Sequence, residues 1–571
     1  MNSFSRVPLL AESYISMVDR LALVTVLIIA LALRFYGLER PFFWADEAFS
    51  LRLGSLPIDQ IWYFSGRDVH PPFYYFVLHI WSLIWGESQY AARALSAVCG
   101  SMAVVCSACL VRTVAGARGG LVCGILSAFL PIAIRYSQEA RMYALLSLLV
   151  VASTLALAAW VKKPERKRYL CCYVFFAVLS IYTHYFSVLA ILSNWMFLCW
   201  LSGGRTSKHN YMMYPAWWVA NVCILIFYIP WSLQLLHLVH AFDLIGSHGA
   251  FSWIPKITFQ TIPSLFWSFI TLHDVRAVEV PVSWTLTVLI LSLSWFIVVR
   301  DKKPFALGTL VVACGWIPVV VSLVISVVVP VLTARYLAFC AMFLPMIVAV
   351  AITYSNLRHA IVVVVAVVVV LIQLPGVISV YQQSDDLNFS RNSKDFPMER
   401  VAEKLKSSTV SGDRVVVGGL LWYYPLWAYG ITDRTTMLYE QDWVNDTASR
   451  PTGYGLLSLL DPVRDDVFLY SLAKLSSEVK RVWWMTGRAS ETYNESSAVF
   501  PENWVQEGEW KFGKLRLRLF NIKAPPDERR QPSTDTDAFR YFTQPPHPAA
   551  QNCPLAPSAT SANRTRRSLP R

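Results

Sequence analysis

The sequence predicts an α-helical polytopic membrane protein carrying a small C-terminal α/β domain, and three observations predict it. Of 571 residues, 55% are hydrophobic and only 15% charged, where soluble domains carry about a quarter charged. Between 21 and 380 the apolar residues gather in runs of roughly 18–25, the length a helix needs to cross about 30 Å of hydrocarbon. After 380 the pattern changes, and residues 385–523 mix charged and apolar positions.

Taken in order, the expected spans are 20–38, 94–114, 119–137, 142–160, 169–186, 188–202, 215–235, 281–299, 305–332, 336–354 and 360–380, about eleven in all. The N-terminal segment reads as a cytoplasmic stretch (1–19) leading into the first span, since no small-residue cleavage site follows that run. The basic groups lie at Arg112 with Arg118, KKPERKR at 162–168, Arg205 with Lys208, RDKK at 300–303 and Arg358. With the N-terminus inside, every one falls inside, as the positive-inside rule requires. The run 73–86, FYYFVLHIWSLIWG, is too short to cross and would invert that pattern. It is expected to lie on the outer face as a juxtamembrane helix within a first outer loop, 39–93.

These spans make 20–384 the membrane domain and leave 385–523 outside. There VAEKLKSS reads as helix, and RVVVGGLL, RVWWMTG and KLRLRLFNI read as strands. The tail, 524–571, is Pro-, Ser-, Thr- and Arg-rich and is expected to be disordered. The net charge of +13 reflects the basic loops rather than a nucleic-acid surface. Ten of the 11 cysteines lie in or beside apolar runs and Cys553 stands alone, so no disulfide framework is expected.

Sidedness gathers the unusual polar residues on one face. PFFWADEAFS follows the first span with Asp46 and Glu47, and His70 precedes the juxtamembrane helix in RDVHPPFYY. SQEARMY supplies Glu139, Arg141 and Tyr143, THYF supplies His184 and Tyr185, and TARY supplies Arg335 and Tyr336. Each group alone has a plain reading as a solvated turn, a cap or an interfacial anchor. Together they describe a cavity with carboxylates on one side and cations on the other, suited to displacing an anionic leaving group. A carboxylate can accept the proton of an attacking hydroxyl. Arg and protonated His can stabilise phosphate charge. Asp46 is the expected base, with Glu47, about 100° away on a helix, orienting a partner or the acceptor; their repulsion is expected to raise one pKa. No cofactor is implied. The two carboxylates could meet a divalent metal, but no third ligand is evident. Nucleotide sugars are scarce on the outer face, so an activated donor there would be lipid-linked.

WADEAFS, DVHPPFYY, AARALSAVCGSMAV and SQEARMYAL together resemble the GT-C class of membrane glycosyltransferases. The resemblance is to the bacterial branch, family 39-like, related to protein O-mannosyltransferases and lipid A aminoarabinose or galacturonosyl transferases. It spans about 20–380 and is strongest over 34–190. It implies a polyprenyl-phosphate monosaccharide donor, inverting transfer to an envelope lipid, glycan or protein at the outer face of a bacterial plasma membrane, and a catalytic acid at Asp46, secondarily Glu47. The mannosyltransferases continue His-Pro-Pro with Leu-Gly-Lys, whereas Phe73, Tyr74 and Tyr75 follow here. The missing lysine shifts phosphate binding to His70 and the arginines.

A transporter or flippase of a lipid-linked substrate is the main rival; it would place charges at mid-membrane, where these spans carry few. GEWKFGK at 508–514 mimics a phosphate loop, but Leu515 replaces the required Ser or Thr and the segment reads as a hairpin.

Overall fold

The computed structural model describes residues 16–203, 210–245, 254–302, 305–387, 392–431, 436–439, 455–460, 464–475, 479–487 and 498–523. The chain divides into Met1–Ala524 and Pro525–Arg571. The second unit, expected as a disordered tail, lies outside the described residues.

The membrane domain opens with α1 (Met17–Phe35), capped by Ser16 and Asp19. Three shorter helices, α2 (Ala45–Gly54), α3 (Ile58–Ser65) and α4 (Phe73–Trp85), build the first loop. The remainder are α5 (Gln89–Ala128), α6 (Pro131–Ser137), α7 (Tyr143–Lys162), α8 (Lys167–Ile181), α9 (Ser187–Gly203), α10 (Pro215–Ile245), α11 (Thr261–Thr271), α12 (Val280–Arg300), α13 (Leu307–Ser326), α14 (Ala338–Ala341), α15 (Phe343–Tyr354) and α16 (His359–Gln382). Each expected span overlaps a helix, although 119–137 is divided between α5 and α6 and the helix of 305–332 stops at Ser326. Among the described residues, six helices (α5, α7, α10, α12, α13, α16) are long and apolar enough to cross a membrane; α4, α9 and α14–α15 are shorter apolar helices. α5 joins two expected spans across Gly116, whose φ of 85° only glycine adopts readily. α11 is an element the hydrophobic pattern did not separate.

Burial ranks the helices. The apolar windows of α5 and α7 are 72% and 83% buried and form the centre, whereas that of α16 is only 17% buried. Val364, Val367 and Leu371 are exposed along α16, a face suited to hydrocarbon. α4 buries Tyr74, Tyr75 and Leu78 and exposes Ile80, Leu83, Ile84 and Trp85, the two-faced pattern of a helix lying at an interface. Among the described residues two of the basic groups meet the start of α1 and the middle of α5: Arg112 pairs with Asp19 at 2.9 Å and Lys162 binds the Thr113 carbonyl.

Beyond α16 a six-stranded sheet forms from β1 (Arg414–Val417), β2 (Thr436–Tyr439), β3 (Phe468–Leu469), β4 (Arg481–Gly487), β5 (Trp504–Phe512) and β6 (Leu515–Ile522). Its order is β3-β2-β1-β4-β6-β5. The first four strands are parallel, with Val415 opposite Trp483, and the β5–β6 hairpin adds antiparallel to β4. GEWKFGK is the turn of that hairpin. RVVVGGLL is strand only as far as Val417, because Gly419 breaks the chain and α18 (Leu420–Ala428) follows α17 (Met398–Ser408) on the same side. One sheet face, with Val415, Val417, Trp483, Met485 and Leu517, shares a core with Trp422 and with Phe42 and Trp44 from the first loop. The α/β domain is thereby packed onto the segment that leads into α2.

α16 crosses α6 and α11 at Gly376, where an added Cβ would lie 2.0 Å from the Ile270 carbonyl oxygen and 2.8 Å from Pro131. Gly376→Leu is therefore expected to cost about 1–3 kcal/mol or more through overpacking. An unchanged melting temperature in detergent would mean that α16 is not seated there.

Candidate active site

The site is built at the α2 end of the bundle. Trp44 is extended and α2 starts at Ala45, so Asp46 and Glu47 stand in its first turn, where the helix dipole favours carboxylates. The two then diverge. Glu47 is fully buried and meets Arg93 of α5 in a two-point pair, Nε to Oε1 at 2.8 Å and Nη2 to Oε2 at 2.7 Å. It also accepts the Ala140 N–H at 2.8 Å. Asp46 points the other way, with 18% of its side chain exposed. It sits 3.8 Å from Arg141 Nη2 and 3.6 Å from Arg335 Nη1.

Arg141 is held by Ser50, to whose Oγ it donates at 2.9 Å, and by the Asp46 carbonyl at 3.4 Å. Arg335 lies over the Tyr336 ring, and its turn is anchored by the Val331 and Leu332 N–H groups donating to Ser326 Oγ. The histidines meet because the Phe73 N–H donates to the Tyr182 carbonyl at 2.9 Å, tying the start of α4 to the end of α8. The His70 and His184 ring centres are 5.6 Å apart, and Tyr143 and Tyr336 flank His184 at 6.1 and 5.3 Å. His70 Nδ1 is 3.3 Å from Asp68, which also accepts the Tyr75 hydroxyl at 2.8 Å.

Two comparisons bear on this arrangement. Residues 69–233 match the family model described as dolichyl-phosphate-mannose-protein mannosyltransferase. The crystal structure of ArnT from Cupriavidus metallidurans bound to undecaprenyl phosphate aligns at 11% identity with a TM-score of 0.58, over 90% of this chain and 100% of that one. The chain has the GT-C glycosyltransferase fold. The apo state of the same ArnT aligns at 12% identity with a TM-score of 0.58, over 89% of this chain and 100% of that one. No curated protein matches by sequence.

Within this GT-C chain the structure brings together Asp46, His70, Arg141, Tyr143, His184, Arg335 and Tyr336. It turns three expected residues elsewhere. Glu47 faces Arg93 and the backbone of the 138–142 turn instead of the Asp46 cluster. Glu139 is buried against Arg135, which also binds Asp385 at 3.0 Å. Tyr185 receives the Trp231 indole N–H at 3.2 Å, to the side of the cluster. The expectation of cationic histidines is also corrected. Burial pushes His184 well below the ordinary imidazole value, and the cations Arg141 and Arg335 push it the same way. Burial and Arg141 lower His70 as well, against the opposing pull of Asp68. Both act as neutral rings. His184 Nδ1 accepts the Phe186 N–H at 3.2 Å, so its proton rests on Nε2. Among the described residues that Nε2, Tyr143 Oη and Arg141 Nε are buried without a protein partner, donors suited to an acceptor-rich ligand. No group of three or more metal-binding side chains occurs among the described residues.

Sequence reasoning missed Arg93, Asp68, Ser50 and the Arg135–Asp385 link. Arg93 stood at the head of an apolar run; Arg135 and Glu139, four apart on one helical face, were a readable pair.

Removing Arg93 strands a buried carboxylate. Arg93→Met is expected to cost about 3–5 kcal/mol, and adding Glu47→Met should recover much of it. A double variant no more stable than Arg93→Met in thermal melts would deny the pair this role. The histidines set a pH dependence. With folded pKa values below the ordinary 6.5, the unfolded chain takes up protons first as pH falls. Stability should be flat above about 6.5 and decline below it. His184→Phe should reduce the slope of melting temperature against pH between 7 and 5, and an identical slope would mean His184 is not held neutral.

Proposed function

We propose that the protein is an integral membrane glycosyltransferase that moves a monosaccharide from a polyprenyl-phosphate donor to an acceptor at the outer face of a bacterial plasma membrane, with inversion. The observation that carries this is the Asp46 carboxylate standing between the Arg141 and Arg335 guanidiniums at the head of an apolar bundle. The fold supports it, since it is shared with a protein crystallised with undecaprenyl phosphate. The N-terminus is cytoplasmic in this reading and 385–523 lies outside, because the basic loops share the opposite end.

The prenyl chain lies along the apolar helices and its phosphate enters between Arg141 and Arg335. At 3.6 and 3.8 Å these contacts with Asp46 are looser than direct hydrogen bonds, so phosphate oxygens can take over the guanidinium N–H groups and leave Asp46 with a free acceptor. The acceptor hydroxyl attacks the anomeric carbon from the face opposite the phosphate, and its proton passes to Asp46. The bond from anomeric carbon to phosphate oxygen breaks, and the electron pair leaves with the polyprenyl phosphate. Arg141 and Arg335 meet the growing charge. Tyr143 and His184 Nε2–H add neutral donors, so the pocket stabilises the leaving group without stacking further cations on it. Glu47 acts through Arg93 and Ala140, fixing α2 against the 138–142 turn.

Asp46→Asn should lower transfer by about 10²–10⁴-fold, the usual weight of a positioned base, while expression and insertion persist. Mass spectrometry of lipids and surface glycans in a deletion strain, complemented with wild type or Asp46→Asn, reads this directly. The same sugar should be missing with the variant, and its polyprenyl-phosphate form should accumulate. A variant that restores the glycan would remove Asp46 as base. In the same strain Arg141→Ala and Arg335→Ala should weaken donor binding; unchanged affinity in both would place the phosphate elsewhere.

A further inference from the structure

A cavity of ≈ 510 Å³ lies between α11, the loop before α12 and the turn that carries Arg335, within the range of about 300–1,000 Å³ typical of small-ligand sites. Its position ties it to the Asp46 cluster from two sides. Thr333 and Ala334 line it and directly precede Arg335, whose guanidinium reaches Asp46. Asp386 also lines it and directly follows Asp385, which binds Arg135 and through it Glu139 in the 138–142 turn.

Its chemistry differs from that of the other large cavities. The groove between α8 and α10 is lined almost wholly by aliphatic and aromatic side chains, suited to hydrocarbon, and the groove between α5 and α16 is mainly aliphatic, with Arg118, Thr353, Asn356 and His359 but no carboxylate. This one presents Lys256, Thr258, Ser264, Asp274, Thr333 and Asp386 beside patches of leucine and valine. The Asp386 carboxylate is fixed, because Oδ2 meets His273 Nδ1 at 2.9 Å and accepts the Asp274 N–H at 3.4 Å. His273 is itself braced by Ser379 at 3.0 Å. Among the described residues these contacts all fall on Oδ2, leaving Oδ1 for another donor. Asp274 is crowded by the same carboxylate; burial and Asp386 raise it above its ordinary value. Two neighbouring carboxylates with hydroxyls around them call for a ligand rich in O–H donors, and the apolar patches fit the C–H faces of sugar rings.

We infer that this cavity receives the acceptor and that the acceptor is a carbohydrate, bound through its hydroxyls to Asp274 and Asp386 with the attacking hydroxyl directed past Thr333 toward Asp46. This rests on the glycosyltransferase reading of the Asp46 cluster and narrows its acceptor from lipid, glycan or protein to a glycan portion.

The test uses full-length protein in nanodiscs with three probes: a panel of methyl glycosides, a lysophospholipid and undecaprenyl phosphate. Saturation-transfer NMR should show at least one glycoside bound to wild type. Asp274→Asn should weaken it about tenfold or more, as loss of hydrogen bonds to a charged group does. Ser264→Trp, which fills the cavity, should abolish it. Undecaprenyl phosphate affinity should be unchanged in both variants. Absence of glycoside binding to wild type, binding to Ser264→Trp as strong as to wild type, or displacement of the glycoside by lysophospholipid would each overturn the inference. If wild type fails to bind undecaprenyl phosphate yet binds the glycoside through Asp274, the donor reading falls and the cavity stands as a carbohydrate site of another function.

Discussion

The arrangement depends on one buried ion pair, Arg93 with Glu47. A guanidinium has five N–H donors, and all five are used: two on Glu47, and the others on the carbonyls of Leu38, Pro41 and Phe42 at 3.0, 3.0 and 3.1 Å. One side chain on a central helix thus fixes the end of the first loop's entry segment and the start of α2. Glu47 passes the constraint on through the Ala140 N–H, and Gln138 of the same turn donates to the Arg34 and Tyr36 carbonyls. Two loops that are distant in sequence become one rigid unit. A buried pair of this kind is weak evidence for net stability, but it strongly penalises any arrangement in which either partner is left alone.

That rigidity is what makes Asp46 useful. It is the neighbour of a residue that cannot move, and helical geometry turns it about 100° away, toward Arg141 and Arg335. Arg141 is in turn positioned by Ser50, one turn further along α2. Asp46 and Arg141 are therefore placed by the same short helix, which holds their separation within narrow limits. The neutral histidines complete the logic. Two fixed guanidiniums already supply the positive charge, and a third buried cation beside them would be repelled and poorly hydrated.

Much of this was legible from the sequence because sidedness is a strong constraint. Once the basic loops share one end, the five polar groups must share the other, and seven of the ten expected site residues do meet. What was not legible is direction. Whether Glu47 faces the cavity or the core depends on Arg93, 46 residues away, and nothing in AARALSAV marks that arginine as a partner rather than an interfacial cation. Asp68 is a different case, since its partners His70 and Tyr75 are only two and seven residues away, and it is the meeting of His70 with His184 that depends on α4 docking on the end of α8. In the α/β domain β1, β4 and β6 were readable as apolar runs and β5 through the 508–514 hairpin, but the short β2 and β3 were not singled out, and Gly418 and Gly419 end β1 earlier than the apolar run suggests.

The α/β domain is tied to the site at two places rather than tethered beside it. Phe42 and Trp44 enter its core just before Asp46, and Phe49 of α2 packs edge-on against Tyr424 of α18. At the other attachment, Asp385, at the start of the outer segment just past α16, meets Arg135, which holds Glu139 beside Arg141. Both Asp46 and Arg141 are therefore within a few residues of a contact with the domain or its linker. A displacement of the domain would have to move α2 or release a buried charge at Asp385. The second is the costlier, because Arg135 and Glu139 are both removed from water. The domain is thus part of the framework around the Asp46 cluster, and its packing on the first loop is a reason why a short segment outside the main bundle can hold that carboxylate in place.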